Sequence, residues 1–248
     1  MNFTRPLAAL AASAAVLLAS ACGATSVAAE PTAEATASAT ATAQATTAAF
    51  PRTVDVPGGR DIEPTTVTVE AEPVRIAPLS YEAAEVVAAL GLADRLVTVP
   101  AAVTNPILTN HLDEMLAVEH TSATESTTDP EQILALQPDL VILSARHGLE
   151  EGAGEVLAEA GVPVLVYPNS WHTVDAMITD IELTGTVTGA DAAAADLAAT
   201  IEAGLVPVAD AGAEDAPRVL ILSNQAGIPF VTAGAAFPLE LVALAGGD

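Results

Sequence analysis

Five side chains able to grip a bulky ligand stand in short polar segments directly behind apolar runs: Tyr81, Arg146, His147, Trp171 and His172. An arginine fork pairs with carboxylate, phosphate or catecholate oxygens. An indole stacks on a flat ring, and a phenol or an imidazole can ligate iron. These residue types are scarce, since the 248 residues include four histidines, two tyrosines and one tryptophan. Asn224, flanked by Ser223 and Gln225, follows a later apolar run in the same way and adds hydrogen-bonding groups. Each also has an ordinary reading: His172 capping the next helix, Tyr81 packing on its own helix, Arg146 pairing with a nearby glutamate.

Other chemistries find little support. His111, Asp113, Glu114 and His120 match no standard zinc spacing and read as polar loop residues. No nucleophile elbow, H-E-x-x-H or glycine-rich phosphate loop occurs. The chain has no lysine, which removes the phosphate-gripping P-loop lysine and Schiff-base chemistry. Catalysis, a resident cofactor and a bound metal ion are therefore not expected. The formal charge of -25 repels phosphate backbones, so nucleic acid is excluded as a partner. Most of this acidity reads as a solvated surface.

The elements that would hold these side chains alternate. Apolar runs at 74–79, 96–99, 140–143 and 162–167 predict strands, and 81–90, 130–136, 149–160 and 174–187 predict helices between them. Such alternation, with strands read as unbroken apolar runs, argues for an α/β fold with a parallel sheet covered on both faces. In open sheets of this kind ligands sit beyond the carboxyl ends of the strands, which is where the segments carrying Ser80–Tyr81, Ser144–His147 and Asn169–His172 fall. Two short runs, 53–56 and 65–70, around Pro57-Gly58-Gly59-Arg60 predict a lead-in hairpin. At 129–132, Asp129 caps a helix, Pro130 suits its first position and Gln132 completes a capping box. Glu131 then lies in the first turn with its charge favoured by the helix dipole. A further helix is predicted over 190–205, closed by Gly204 and Pro207, and a new strand over 218–222.

The N-terminus carries Arg5, an uncharged stretch over 7–21 and the small residues Ala19-Ser20-Ala21 before Cys22, the sole cysteine. This pattern is a secretory signal, too short to span a bilayer. Leu18 to Cys22 resembles a bacterial lipobox with Ala19 in place of the usual leucine, which implies a lipid anchor on Cys22. Residues 23–52, rich in alanine and threonine, read as a disordered tether.

Several stretches in order resemble the periplasmic binding proteins for iron complexes and cobalamin. They are Val74 to Ser80 with Glu82 to Gly91 and Asp94 to Val97, then Asp129 to Ile142, Gly161 to Val164, Thr184-Gly185 with Thr188-Gly189, Pro217 to Leu222 and Thr232 to Gly247. The resemblance implies a bilobal fold whose lobes are joined by one long helix. The lobes would be 53–189 and an incomplete 216–248, with 190–215 between them. It implies capture of a siderophore, haem or cobalamin for an ABC permease and its ATPase, outside the cytoplasm. Tyr81, Arg146, His147, Trp171, His172 and Asn224 would face the ligand, and Glu131 would dock on the permease. Two alternatives are a receptor for free zinc or manganese ions and a surface lipoprotein that scavenges or senses without an importer.

Overall fold

A computed structural model describes residues 49–59, 62–122, 129–145, 149–168, 172–208, 216–225, 227–234 and 236–248. The chain enters through an antiparallel hairpin, β1 (Arg52–Val56) and β2 (Thr65–Val69), in register from Arg52↔Val69 to Val56↔Thr65. Both strands alternate exposed threonine or aspartate with buried valine, so one face joins the core.

The central sheet is parallel, in the order β3 (Ile76–Pro78), β6 (Leu140–Ser144), β7 (Val164–Tyr167). Every residue of β6 is buried. The two faces of the sheet feed different cores. Ile76, Leu140, Ile142 and Leu165 pack with α1 (Tyr81–Ala89), α5 (Val174–Thr188) and α6 (Asp191–Gly204). Ala77, Val141 and Leu143 pack with Ile133 of α3 (Pro130–Ala135) and Leu157 of α4 (Leu149–Glu159). This two-sided covering explains why β6 reads as an unbroken apolar run rather than an alternating one.

The boundaries differ from the sequence expectation where hydrogen bonding stops short of the apolar run. Residues 96–99 do not form a full strand: Leu96 bridges Ile76, and β4 (Val99–Pro100) pairs with β5 (Thr121–Ser122) in a separate ladder. A short 3-10 turn at Ala93–Arg95 precedes β4, and another at Ala101–Thr104 and α2 (Leu112–Ala117) lie between β4 and β5; hydrophobic periodicity predicts none of them at so short a length.

Helix α3 starts as expected but with different bonding. The Asp129 carboxylate accepts the Glu131 amide at 3.1 Å, and the Gln132 side-chain amide donates to that carboxylate at 2.9 Å instead of reaching the Asp129 backbone. The bond from Glu131, with that from Gln132, holds the Asp129 carboxyl below the usual carboxylate range.

Helices α5 and α6 pack closely at Gly185, where an added Cβ would lie 2.4 Å from Ala194 Cβ. Gly189, at a φ of 77°, turns the chain between them. Helix α6 ends at Gly204, one residue before the expected end. Residues 218–221 are not strand. The strand there is β8 (Leu222–Gln225), and it pairs antiparallel with β9 (Ile228–Val231) before α7 (Phe237–Leu244). The tight turn at Gly227, with a φ of 85°, makes this a hairpin rather than the start of a parallel repeat.

Candidate functional site

The carboxyl ends of β3 and β6 meet at a pair of hydroxyls. Ser144 Oγ donates to Ser80 Oγ across 2.9 Å, and both residues are buried. Ser80 also caps α1 by accepting the Ala83 amide at 3.3 Å. The strand tips are thus joined, and α1 departs from that junction with Tyr81 as its first residue, half-buried. Glu82, next along, is buried as well.

The segment after β4 is bound back onto α1. The two carboxylate oxygens of Glu85 accept the Thr109 hydroxyl, in a very short bond, and the Asn110 amide at 3.1 Å. Thr109 Oγ1 in turn accepts the His111 amide at 3.0 Å. A carboxylate, a hydroxyl and two amides therefore fix where His111 sits. On its other side, His111 Nδ1 lies 3.8 Å from Glu114 Oε1.

Tyr81, Glu85, Asn110 and His111 form the polar lining of an open groove of about 380 Å³. Its walls are Val86 and Ala89 of α1, Leu108 of the loop, Met177 and Ile181 of α5, and Leu197 and Ile201 of α6. Tyr81, Glu85, Val86 and Ala89 share one face of α1 at helical spacing. A mostly apolar concavity of this size with a few converging polar groups has the form of a small-molecule site.

Behind the groove lies a buried polar cluster. Thr184 Oγ1 donates to the Asp180 carbonyl at 2.8 Å, so the single remaining proton of the 2.6 Å Tyr167–Thr184 contact comes from the Tyr167 phenol. Burial, then the nearby Asp180, raises the Tyr167 pKa and keeps the phenol neutral. Burial likewise raises the Asp180 carboxyl to about 8. Among the described residues its Oδ2 atom has no hydrogen-bond partner.

Of the six residues expected to face a ligand, the structure places Tyr81 in the groove. His172 is exposed and stands one residue before the cap of α5, which is Thr173, whose hydroxyl accepts the Ala176 amide at 3.1 Å. Asn224 lies within β8, exposed and opposite Pro229. Arg146, His147, Trp171 and the proposed anchor Cys22 lie outside the described residues. Glu131 is exposed in the first turn of α3. The lining residues that sequence reasoning missed are Glu85, Asn110, His111 and Met177. The signal available for Glu85 was its position one turn after Tyr81; His111 carried none, because its setting depends on Thr109 and Glu85. No group of three or more histidine, cysteine, aspartate or glutamate side chains is placed to hold a bare metal ion among the described residues.

Known proteins share this architecture. The B. subtilis chain described as "Uncharacterized ABC transporter substrate-binding lipoprotein YvrC" is 29% identical over 161 residues, covering 64% of this chain and 46% of that protein. This chain thus spans less than half the length of that relative. The siderophore binding protein BauB, solved with two molecules of acinetobactin and ferric iron, superposes with a TM-score of 0.61 at 16% identity, over 80% of this chain and 67% of its own. The periplasmic heme binding protein HutB of Vibrio cholerae superposes at 0.56 with 22% identity, over 71% and 65%. These two likenesses concern the fold. The family model described as "Periplasmic binding protein" matches residues 76–248, from the first strand of the sheet onward, and the chain belongs to that family.

Proposed function

We propose that this chain is the extracytoplasmic binding component of an ABC importer, capturing an iron complex (siderophore or haem) or cobalamin and presenting it to a permease. The observation that carries the reading is the groove between α1, α5, α6 and the 108–111 loop, where Tyr81 and His111 stand over apolar walls in a family of binding proteins. A relative described as an ABC transporter substrate-binding lipoprotein supports the importer role, and fold neighbours described as binding ferric siderophore and haem support the cargo class. Its role is capture without turnover. Cys22 would carry the lipid that keeps it near the membrane, residues 23–52 would give the folded part reach, and Glu131 would meet guanidinium groups of the permease.

Each candidate cargo has its own visible absorption, so dialysis of the full chain against haemin, a ferric siderophore and aquocobalamin, with zinc and manganese ions as comparators, tests the reading. Retention of one coloured complex near one equivalent is expected. Retention of none, or of the bare ions alone, would overturn it.

A further inference from the structure

We propose that Glu240 is a latch: its carboxylate fastens the segment 216–248, expected to begin a second lobe, to the amino end of α5, and its release lets the two part. The inference rests on the binding role just described only for the cargo that the latch retains. It starts from a bond between residues 66 positions apart, in which the Val174 amide donates to Glu240 Oε2 at 2.8 Å. Val174 is the first residue of α5, so its amide has no partner within the helix. Thr173 caps the same turn, but its hydroxyl is taken by the Ala176 amide. Because Val174 is buried, its amide would be costly to leave unpaired, and Glu240 satisfies it.

Two features make this contact a latch rather than part of a core. No residue of α7 is buried, and none of the described residues of 216–248 belongs to either hydrophobic cluster. Among the described residues, this is also the one hydrogen bond between 216–248 and 49–189. The carboxylate stands in the first turn of α7 and at the head of α5, so two positive helix ends share one negative charge. A single charge-assisted bond can open without unfolding either element. Val174, Met177 and Ile181 follow one another at helical spacing, and the last two line the groove, so the latch ties 216–248 to the helix that the cargo would touch. At its other end α7 is held by the Val208 amide, which donates to the Leu244 carbonyl at 2.8 Å from the chain that follows α6. With Glu240 released, α7 would pivot about that carboxyl end.

The test reads the amide itself. Hydrogen exchange at Val174, followed in the full chain by NMR, should be protected in the parent. Glu240→Ala should speed it about tenfold while the amides of β6 keep their protection. Glu240→Gln, whose side-chain carbonyl still accepts, should restore most of the protection, which a merely structural role in α7 would not require. Equal exchange at Val174 in parent and Glu240→Ala overturns the proposal. A second arm measures the release of haemin, a ferric tris-catecholate and aquocobalamin by stopped flow. The complex that the parent retains should leave Glu240→Ala about tenfold faster. Lost protection with an unchanged release rate overturns the latch as a control on cargo and leaves the importer role intact. A parent that retains none of the three removes the importer reading, and the exchange at Val174 then decides the latch by itself.

Discussion

Arg52 and Asp191 lie 139 positions apart in the chain, yet the guanidinium of the first strand meets the first carboxylate of α6 at 2.7 Å. The same Arg52 nitrogen donates at 3.0 Å to the Thr186 carbonyl in the last turn of α5, which also accepts the Gly189 amide at 3.4 Å, and the guanidinium lies 5.3 Å above the Phe50 ring. One side chain thus ties the lead-in hairpin to the junction of two helices. Since Arg52 is largely covered, Arg52→Ala should cost about 1–2 kcal/mol and lower Tm by roughly 2–8 °C. Arg52→Lys should recover only part of this, because an ammonium lacks the separate Nε–H bond to the Ala49 carbonyl and the flat face over Phe50. A denaturation series that left Arg52→Ala as stable as the parent would contradict the account.

The α5–α6 crossing depends on what Gly185 lacks. An alanine there gains up to about 1 kcal/mol of helix propensity, but its methyl would lie 2.4 Å from that of Ala194. Overpacking should win, with a net loss of about 1–2 kcal/mol for Gly185→Ala. Adding Ala194→Gly should relieve the clash, so the double variant is expected to be more stable than Gly185→Ala alone. A thermal unfolding cycle over the four proteins checks the sign of that coupling.

Asp180 predicts how stability depends on pH. Its carboxyl is raised to about 8 from an ordinary 3.8, so between those values the unfolded chain is ionised while the folded one holds a proton. Folding takes up that proton, and stability should fall as pH rises across the window, by at most about 1.4 kcal/mol per unit. The contribution is complete below about 4 and gone above about 8. Asp180→Asn should flatten this slope and stabilise the protein at pH 8 by a few kcal/mol. The check is a set of urea midpoints from pH 5 to 8.5; equal slopes in the two proteins would rule it out.

The docking role proposed for Glu131 concerns delivery rather than capture. Its exposed place in the first turn of α3 leaves the carboxylate available to a partner. With the importer present, Glu131→Arg should reduce uptake of bound cargo on the order of tenfold, the scale of a lost charge-assisted hydrogen bond, while cargo affinity is unchanged. Uptake equal to the parent would remove Glu131 from the docking role.

The layered sheet was legible because its signals are local. The unbroken apolar run at 140–143, Pro130 behind Asp129, and Gly189 between two helical stretches each dictate their structure within a few residues. Legibility fails where the cause lies far along the chain. Residues 96–99 look like a strand, but whether they become one depends on partners at Ile76 and His120. The strand expected over 218–222 shifts to Leu222–Gln225 because Gly227 closes a hairpin with Ile228–Val231. The groove was the least legible feature. Tyr81 could be placed from its strand, but His111 reaches the site only because Glu85, a full loop away in sequence, captures Thr109 and Asn110.

The bond between Ser144 and Ser80 has a bearing on affinity. Because two adjacent strand ends are fastened to each other and to the head of α1, the backbone that presents Tyr81 is held before the proposed cargo arrives. Its conformational freedom is lost during folding, so association need not lose it again.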